Sequence, residues 1–318
     1  MANTTPETRR AFDPRGVIPA CLMPFTSDLA IDEAAYRRHL GDIAAVEGIT
    51  AITINGHAAE VHALTVEEQK RAIVVTKEVL GDRVPTIVGI FTNSSLEAAR
   101  LAAYAEAEGA DGLLVFPPEA MASGGHLRPE MIHEHLRRIT AASSLPIILF
   151  QYPLASGLTY PLATLLDLCR AFPQIRAIKD QCGDGNLHER HIRELKALER
   201  PVNTLTTHSA WLLGSLALGC DGLLSGAGST IAALQVALFK AVQAGDLNAA
   251  RAINDRIYPT VRAFYDAPLL DMHNRMKEAQ VLLGRMQEAH VRPPLVKPRP
   301  EEIEKIRGLL EQAGLLGA

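Results

Sequence analysis

LPIILFQYPLASGLTYPLATLLDLCRAFPQIRAIKD (145–180) reads as one strand–helix–strand unit. It opens on an apolar run, LPIILFQYP (145–153), and closes on another, IRAIKD (175–180). Runs of this length without clean alternation are the mark of strands buried on both faces, as in a parallel sheet. Between them Leu162, Leu165, Leu166 and Cys169 recur at i, i+3, i+4 and i+7, an apolar helical stripe. Pro161 suits the first helical turn and Pro173 lies just past the expected end.

The same unit repeats in both directions. Earlier runs are VIPACLMPF (17–25), ITAITIN (49–55), VPTIVGIF (84–91) and DGLLVFPP (111–118); later ones are PVNTLTTH (201–208) and CDGLLSG (220–226). Amphipathic stretches lie between them, one capped by Ser94 or Ser95 and running to about Gly109. Eight βα units in about 210 residues predict an α/β fold, a closed (β/α)8 barrel of the TIM type. An open doubly wound sheet would want a Gly-rich fingerprint after the first strand, and PFTSDLAID (24–32) has none. We therefore expect the barrel over 1–230. Residues 231–318 are expected to form a C-terminal helical extension packed on it, broken at VRPPLVKPRP (291–300). Its final helix carries Ile303, Ile306 and Leu310 on one face.

Composition narrows the function. The chain has 318 residues, 47% hydrophobic and 21% charged, which excludes a disordered or collagenous protein. Its formal charge of −4 offers no field for nucleic acid or anionic lipid, so neither is an expected partner. The most apolar stretch, Leu212 to Phe239, carries Asp221 and several glycines, whereas a span needs ~20 uninterrupted apolar residues. No membrane association is expected. Four scattered cysteines without a CxxC pair, and an N-terminus without an apolar signal core, suit a cytoplasmic protein with reduced thiols.

In such a barrel the chemistry sits at the C-terminal ends of the strands. The residues there are His57 and Glu60, Phe150 to Pro153, Lys179, Thr206 to Ser209, and Ser225. Lys179 ends an otherwise apolar strand. An ammonium held between low-dielectric walls has a lowered pKa, which frees the amine to attack a carbonyl and form a Schiff base. A structural ion pair is the plainer alternative. The backbone N–H groups of the Gly56–Ala58 turn can hold a carboxylate. GAGST (226–230) stands where barrels often bind phosphate, though close packing explains its glycines equally well. Neither GHAAEVH (56–62) nor HERH (188–191) has the spacing of a zinc helix motif, so no metal is expected.

NGHAAE followed by LTVEEQKR, LPIILFQYPLASG, IRAIKDQCGD, ALGCDGLLSGAGS and the tail MKEAQVLLG…VRPPL carry a further implication. With these blocks in this order, the chain resembles the dihydrodipicolinate synthase / N-acetylneuraminate lyase family of pyruvate-dependent Schiff-base lyases. The resemblance implies a lyase acting on a 2-oxo acid through a Lys179 imine, no cofactor, and a homotetramer or homodimer. The imine is an electron sink at C2, which acidifies C3 and permits aldol cleavage, condensation or dehydration.

Departures from the family pattern shape the rest. Where the family has a proton-relaying tyrosine on strand five, this chain has Phe150, so the relay is assigned to Tyr152 or His57. The family's Gly-Thr-Thr-Gly-Glu turn is replaced by GHAAE. The arginine that grips the synthase's second substrate corresponds to Ala155, and the tyrosine that crosses to a neighbouring subunit corresponds to Glu119 or its neighbour. The acidic pair of the sialic acid lyase corresponds to Ser209 and Ala210. Lys179, His57 and Tyr152 are thus the expected catalytic residues. Gly56, Ala58, Phe150, Thr207, His208 and Ser225 are expected to line the substrate. Gln151, Gln181, His208 and Glu119 suggest a hydrogen-bonding substrate tail such as a sugar acid. Two alternatives stay open: the biosynthetic synthase itself, and a non-catalytic 2-oxo acid binder that has lost the relay.

Overall fold

The structure, a computed structural model, describes residues 12–317. Eight strands follow one another: β1 Gly16–Pro19, β2 Ile52–Ile54, β3 Thr86–Ile90, β4 Gly112–Val115, β5 Ile147–Gln151, β6 Ile175–Asp180, β7 Asn203–Thr206 and β8 Gly222–Ser225. All neighbouring pairs are parallel, in the order β1-β8-β7-β6-β5-β4-β3-β2. Parallel bridges Val17–Ile49 and Ala20–Thr53 join the two ends, so the sheet closes into the expected barrel.

A helix follows each strand: α1 Glu33–Ala44, α2 Val66–Leu80, α3 Ser95–Ala107, α4 Pro129–Ala142, α5 Leu162–Ala171, α6 Gly185–Lys196, α7 Leu212–Ala217 and α8 Gly228–Gln243. Beyond the barrel come α9 Leu247–Tyr265, α10 Met272–Leu282 and α11 Pro300–Gln312. Starts are set by local chemistry. Asp32, Ser94 and Asp184 accept N–H bonds at the heads of α1, α3 and α6, and Thr65 with Glu68 closes a capping box on α2. Pro161 stands one residue ahead of α5 rather than inside it, with ψ at 144°. The boundary expected at residue 230 falls inside α8, whose residues pack on β1 as the eighth barrel helix. The extension therefore starts after Gln243. In α11 Ile306 and Leu310 are buried and Ile303 is partly so.

Strand residues divide between two apolar layers. Ile87, Leu114, Ile148, Ala177 and Leu205 join Phe116 and Phe150 in one cluster. Their neighbours Val88, Leu113, Val115, Leu149 and Ile178 join Leu40, Ile73, Leu101, Leu136 and Leu165 of the surrounding helices in another. Period-2 alternation thus sends one residue into the barrel and the next into the helix layer. On β6 this places Ala177 and Lys179 inward, Ile178 and Asp180 outward. Barrel closure also depends on bare backbone: a Cβ at Gly222 would lie 2.1 Å from the Gly16 carbonyl oxygen across the β1–β8 seam. All four cysteines are free and buried. Among the described residues no helix is long and apolar enough to cross a membrane.

Candidate active site

Lys179 sits at the inward end of β6 and is 6% exposed. Its register partner on β5 is Phe150, and its Nζ lies 4.1 Å from that ring's centroid. Among the described residues no carboxylate pairs with it. Burial without a counter-ion penalises the ammonium, and the pKa falls to about 7. This is the electrostatic setting of a nucleophilic amine, not of a structural ion pair.

Phe150 is the hub of an aromatic cluster. Tyr152 stacks against it with centroids 4.3 Å apart, Phe116 meets it edge-on at 5.3 Å, and His57 lies 5.6 Å away. Phe91 completes the cluster at 5.5 Å from Phe116. Within it, the Tyr152 hydroxyl and His57 Nε2 are 2.9 Å apart. The two residues that sequence reasoning offered as alternatives for the missing tyrosine are therefore hydrogen-bonded to each other. Burial, reinforced by Tyr160 and Glu119, pushes the Tyr152 phenol well above its ordinary pKa. Burial, then Lys179, His273 and His62, holds the His57 imidazolium well below its ordinary value. The phenol keeps its proton and the imidazole stays neutral near pH 7.

The strand-two turn is built on left-handed residues. Asn55 and Glu60 have φ of 51° and 52°, and between them His57–Ala59 makes one tight turn. The first N–H groups of such a turn have no partner inside it. Ala58 borders the end of β8: a Cβ at Gly226 would lie 3.6 Å from the Ala58 methyl and 3.8 Å from the Tyr265 hydroxyl. The Ser225 hydroxyl accepts from Gln235 Nε2 at 3.1 Å and lies 3.4 Å from Ser209 Oγ. Lys179, Leu205 and Gly222 share one register row, so Ser225, expected to line the substrate, falls with Asp180 on the outward face, bonded to α8. Tyr265 on α9, which accepts from the Ala227 N–H, was not signalled by any strand-end position in the sequence. Thr207 is half-buried, its N–H donating to the Asp180 carbonyl.

The C-terminal extension braces this turn. Glu60 pairs with Lys277 of α10, both side chains fully buried, and Glu60 also accepts the Arg292 N–H at 3.2 Å. Arg292 itself donates to Glu68, Ala63 and Leu29. Burial lowers the Lys277 pKa to about 8, with Glu60 pulling the other way. Such a pair adds little against an apolar isostere, but breaking it strands a buried charge. Lys277→Met should cost about 3–5 kcal/mol in urea denaturation. The double variant with Glu60→Gln should recover much of that loss; no recovery would disprove the pairing as the cause. His273, one turn earlier on α10, is buried with Nδ1 unpartnered, and its ring lies 6.4 Å from His62.

Four residues expected to contact substrate are placed otherwise. His208 packs against His188 and Trp211 with ring centroids 4.7 and 4.5 Å away, Nε2 accepting from the Gly183 N–H and Nδ1 facing Thr206 Oγ1. It belongs to the layer behind β6 and β7, not to the mouth. Gln151 bonds both the N–H and the carbonyl of Tyr160, which pins the loop after β5, and its register with Asp180 turns it to the outward face. Gln181 is only half-buried, and Glu119 is exposed at the head of a short turn, at the edge of the mouth. The HERH histidines both converge on Asp180: His188 Nδ1 and His191 Nδ1 stand 2.8 and 2.7 Å from its Oδ2. Burial pushes the Asp180 carboxyl up, but these two bonds outweigh it and hold the pKa below the ordinary range.

Comparison with known proteins is consistent with this geometry. The model of the dihydrodipicolinate synthetase family matches residues 13–313. The chain is 30% identical over 302 residues to a 4-hydroxy-tetrahydrodipicolinate synthase of Moorella thermoacetica, covering 94% of this chain and 98% of the relative. It is 33% identical to that of Hyphomonas neptunium, with the same coverage. Among solved structures, a prophage protein of the dihydrodipicolinic acid synthase family from E. coli, in complex with pyruvate, superposes with a TM-score of 0.87. It is 24% identical, over 95% of this chain and 99% of that one.

Proposed function

The chain belongs to the dihydrodipicolinate synthetase family, and on that premise we propose that it is a Schiff-base lyase that works on a 2-oxo acid through Lys179. The observation that carries the assignment is the buried, unpaired Lys179 amine at the barrel mouth. The neutral amine attacks C2 of the oxo acid. The proton it sheds and one supplied by Tyr152 leave with the carbonyl oxygen as water, and the C=N bond forms. The protonated imine then accepts the electron pair of a breaking C3–H or C3–C4 bond, and the phenolate left on Tyr152 takes up the proton released from C3 or from the C4 hydroxyl. Tyr152 is thus the acid and then the base of this cycle, and His57, bonded to it, shares that proton. The carboxylate is assigned to the backbone N–H groups of the Gly56–Ala58 turn, which meets the end of β8 at Gly226. Thr207 borders the imine from the end of β7.

The Tyr152–His57 pair favours catalysis over a binding protein without a relay, because it restores a phenol at the mouth despite Phe150. The names of the relatives favour the biosynthetic synthase as a second reading, in which pyruvate and aspartate semialdehyde turn over. Against it stands Ala155, which offers no guanidinium where that substrate's carboxylate would be held. We further infer that the protein works in the cytoplasm as a homodimer or homotetramer.

Borohydride reduction with pyruvate, followed by peptide mass spectrometry, tests the assignment. A reduced adduct on Lys179 supports it; a folded protein that traps no 2-oxo acid sinks it. The pH dependence follows from the same amine. Only the deprotonated form attacks, so the rate of imine formation should rise with pH, reach half its maximum near pH 7, and level off above. A rate still climbing toward the ordinary lysine value of about 10.4 would contradict the burial argument.

A further inference from the structure

Behind Lys179, on the outward side of the barrel wall, four side chains from separate segments converge. Asp180 is the last residue of β6, Cys182 lies in the loop after it, His188 is in the first half of α6, and His208 follows β7. One donor atom from each lies within 4.8 Å of all the others, and all four residues are buried. We propose that Asp180, Cys182, His188 and His208 form a closed, four-ligand binding site for a zinc-class divalent cation.

The donor set suits that ion. A thiolate, two imidazole nitrogens and one carboxylate oxygen are the ligand types of four-coordinate zinc, and the two anionic ligands cancel its charge. A neutral complex can be buried where a bare cation cannot. Around tetrahedral zinc the donor–donor edges are about 3.3–3.6 Å, so the edges near the 4.8 Å limit must close by about 1 Å while the 2.8 Å His188–Asp180 edge opens.

The surrounding groups are arranged as outer partners. His188 faces Asp180 through Nδ1, while its Nε2 lies 2.7 Å from Ser215 Oγ. His208 faces Cys182 Sγ through Nε2 at 3.8 Å, and its Nδ1 lies 3.3 Å from Thr206 Oγ1. In both rings the nitrogen turned away from the cluster already has a hydroxyl oxygen to receive its N–H, as metal-bound histidines require. Asp180 is held on its two sides by His191 Nδ1 and the Cys182 N–H, at 2.7 and 2.9 Å. On binding, the Cys182 thiol releases its proton and the His188 proton moves from Nδ1 to Nε2. The cation displaces three hydrogen bonds: His188 to Asp180, Gly183 to His208, and the Cys182 thiol to the Asp184 carbonyl.

With four protein ligands no position is left for water or substrate, so the site ties the β6–α6 and β7–α7 loops together and does not react. It is independent of the chemistry at Lys179. Spacing along the chain could not reveal it, because HERH supplies only one of the ligands.

Metal content of the intact chain decides the matter. Protein expressed with zinc and dialysed against metal-free buffer should retain one zinc per chain. Cobalt in its place should give the thiolate-to-cobalt charge-transfer band and the visible bands of a tetrahedral site. Cys182→Ser and His208→Gln should lose the metal, and Cys182→Ser the charge-transfer band, while Cys169→Ser in α5 should keep both. Wild-type protein that leaves dialysis metal-free and gives no thiolate–cobalt band overturns the proposal, and the convergence is then a hydrogen-bonded network only. Zinc retained equally by Cys182→Ser overturns it too. Should the variants not fold, the wild-type stoichiometry and spectrum still decide.

Discussion

Lys179→Ala should lower turnover of any 2-oxo acid substrate by at least about 10⁴-fold, because the variant has no nucleophile to form the imine. Lys179→Arg should fare no better. A guanidinium stays charged at every accessible pH, and its planar head cannot form the C=N bond. The control lies in the structure itself. Lys277 is also buried, with its pKa lowered to about 8, but its ammonium is spent on Glu60 and the His290 carbonyl. An adduct that persists in Lys179→Ala and maps to Lys277 would therefore refute the assignment rather than blur it. Steady-state kinetics and trapping on the same preparations separate loss of chemistry from loss of fold.

The second large effect concerns the relay. Tyr152→Phe and His57→Ala should each lower kcat by about 10²–10⁴-fold, the usual range for removal of a general acid or base. Imine trapping at Lys179 should still go to completion in both, since the amine and its apolar walls are untouched, but more slowly in Tyr152→Phe, which lacks the acid that expels water. Because the two side chains share one hydrogen bond, their effects should not add: the double variant should be about as slow as the worse single one. Additive losses would mean two independent roles. Unchanged kcat in both single variants would remove the relay altogether and return the search to Phe150 and its neighbours.

The barrel was legible because its strands are short runs apolar on both faces, eight times repeated between amphipathic stretches, and because Ser94 marks a helix start in the sequence. Lys179 was legible for the same reason, as a charge ending an apolar run. The pairing of Tyr152 with His57 was only half legible. Each could be offered singly, but the contact joins β5 to the turn after β2, and no local pattern encodes a distance across a barrel mouth. His208 was misplaced because the two faces of a strand-end loop cannot be told apart without register. Gln151 was misread for a related reason: a polar side chain at a strand end serves backbone as readily as substrate. The brace from Lys277 and Arg292 was invisible, since both are ordinary charged residues in an amphipathic tail until burial and Glu60 give them a role.

That brace also sets a clock. Glu60 and Lys277 are separated by 217 positions in the chain. At a synthesis rate of about 5–20 residues per second, Glu60 is made roughly 11–43 s before its counter-ion exists. Throughout that interval the growing chain can assemble strands and helices, yet it cannot dry the turn that holds His57 without stranding a carboxylate. The brace of the mouth can therefore form only after α10 has been made, however early the strands around it assemble.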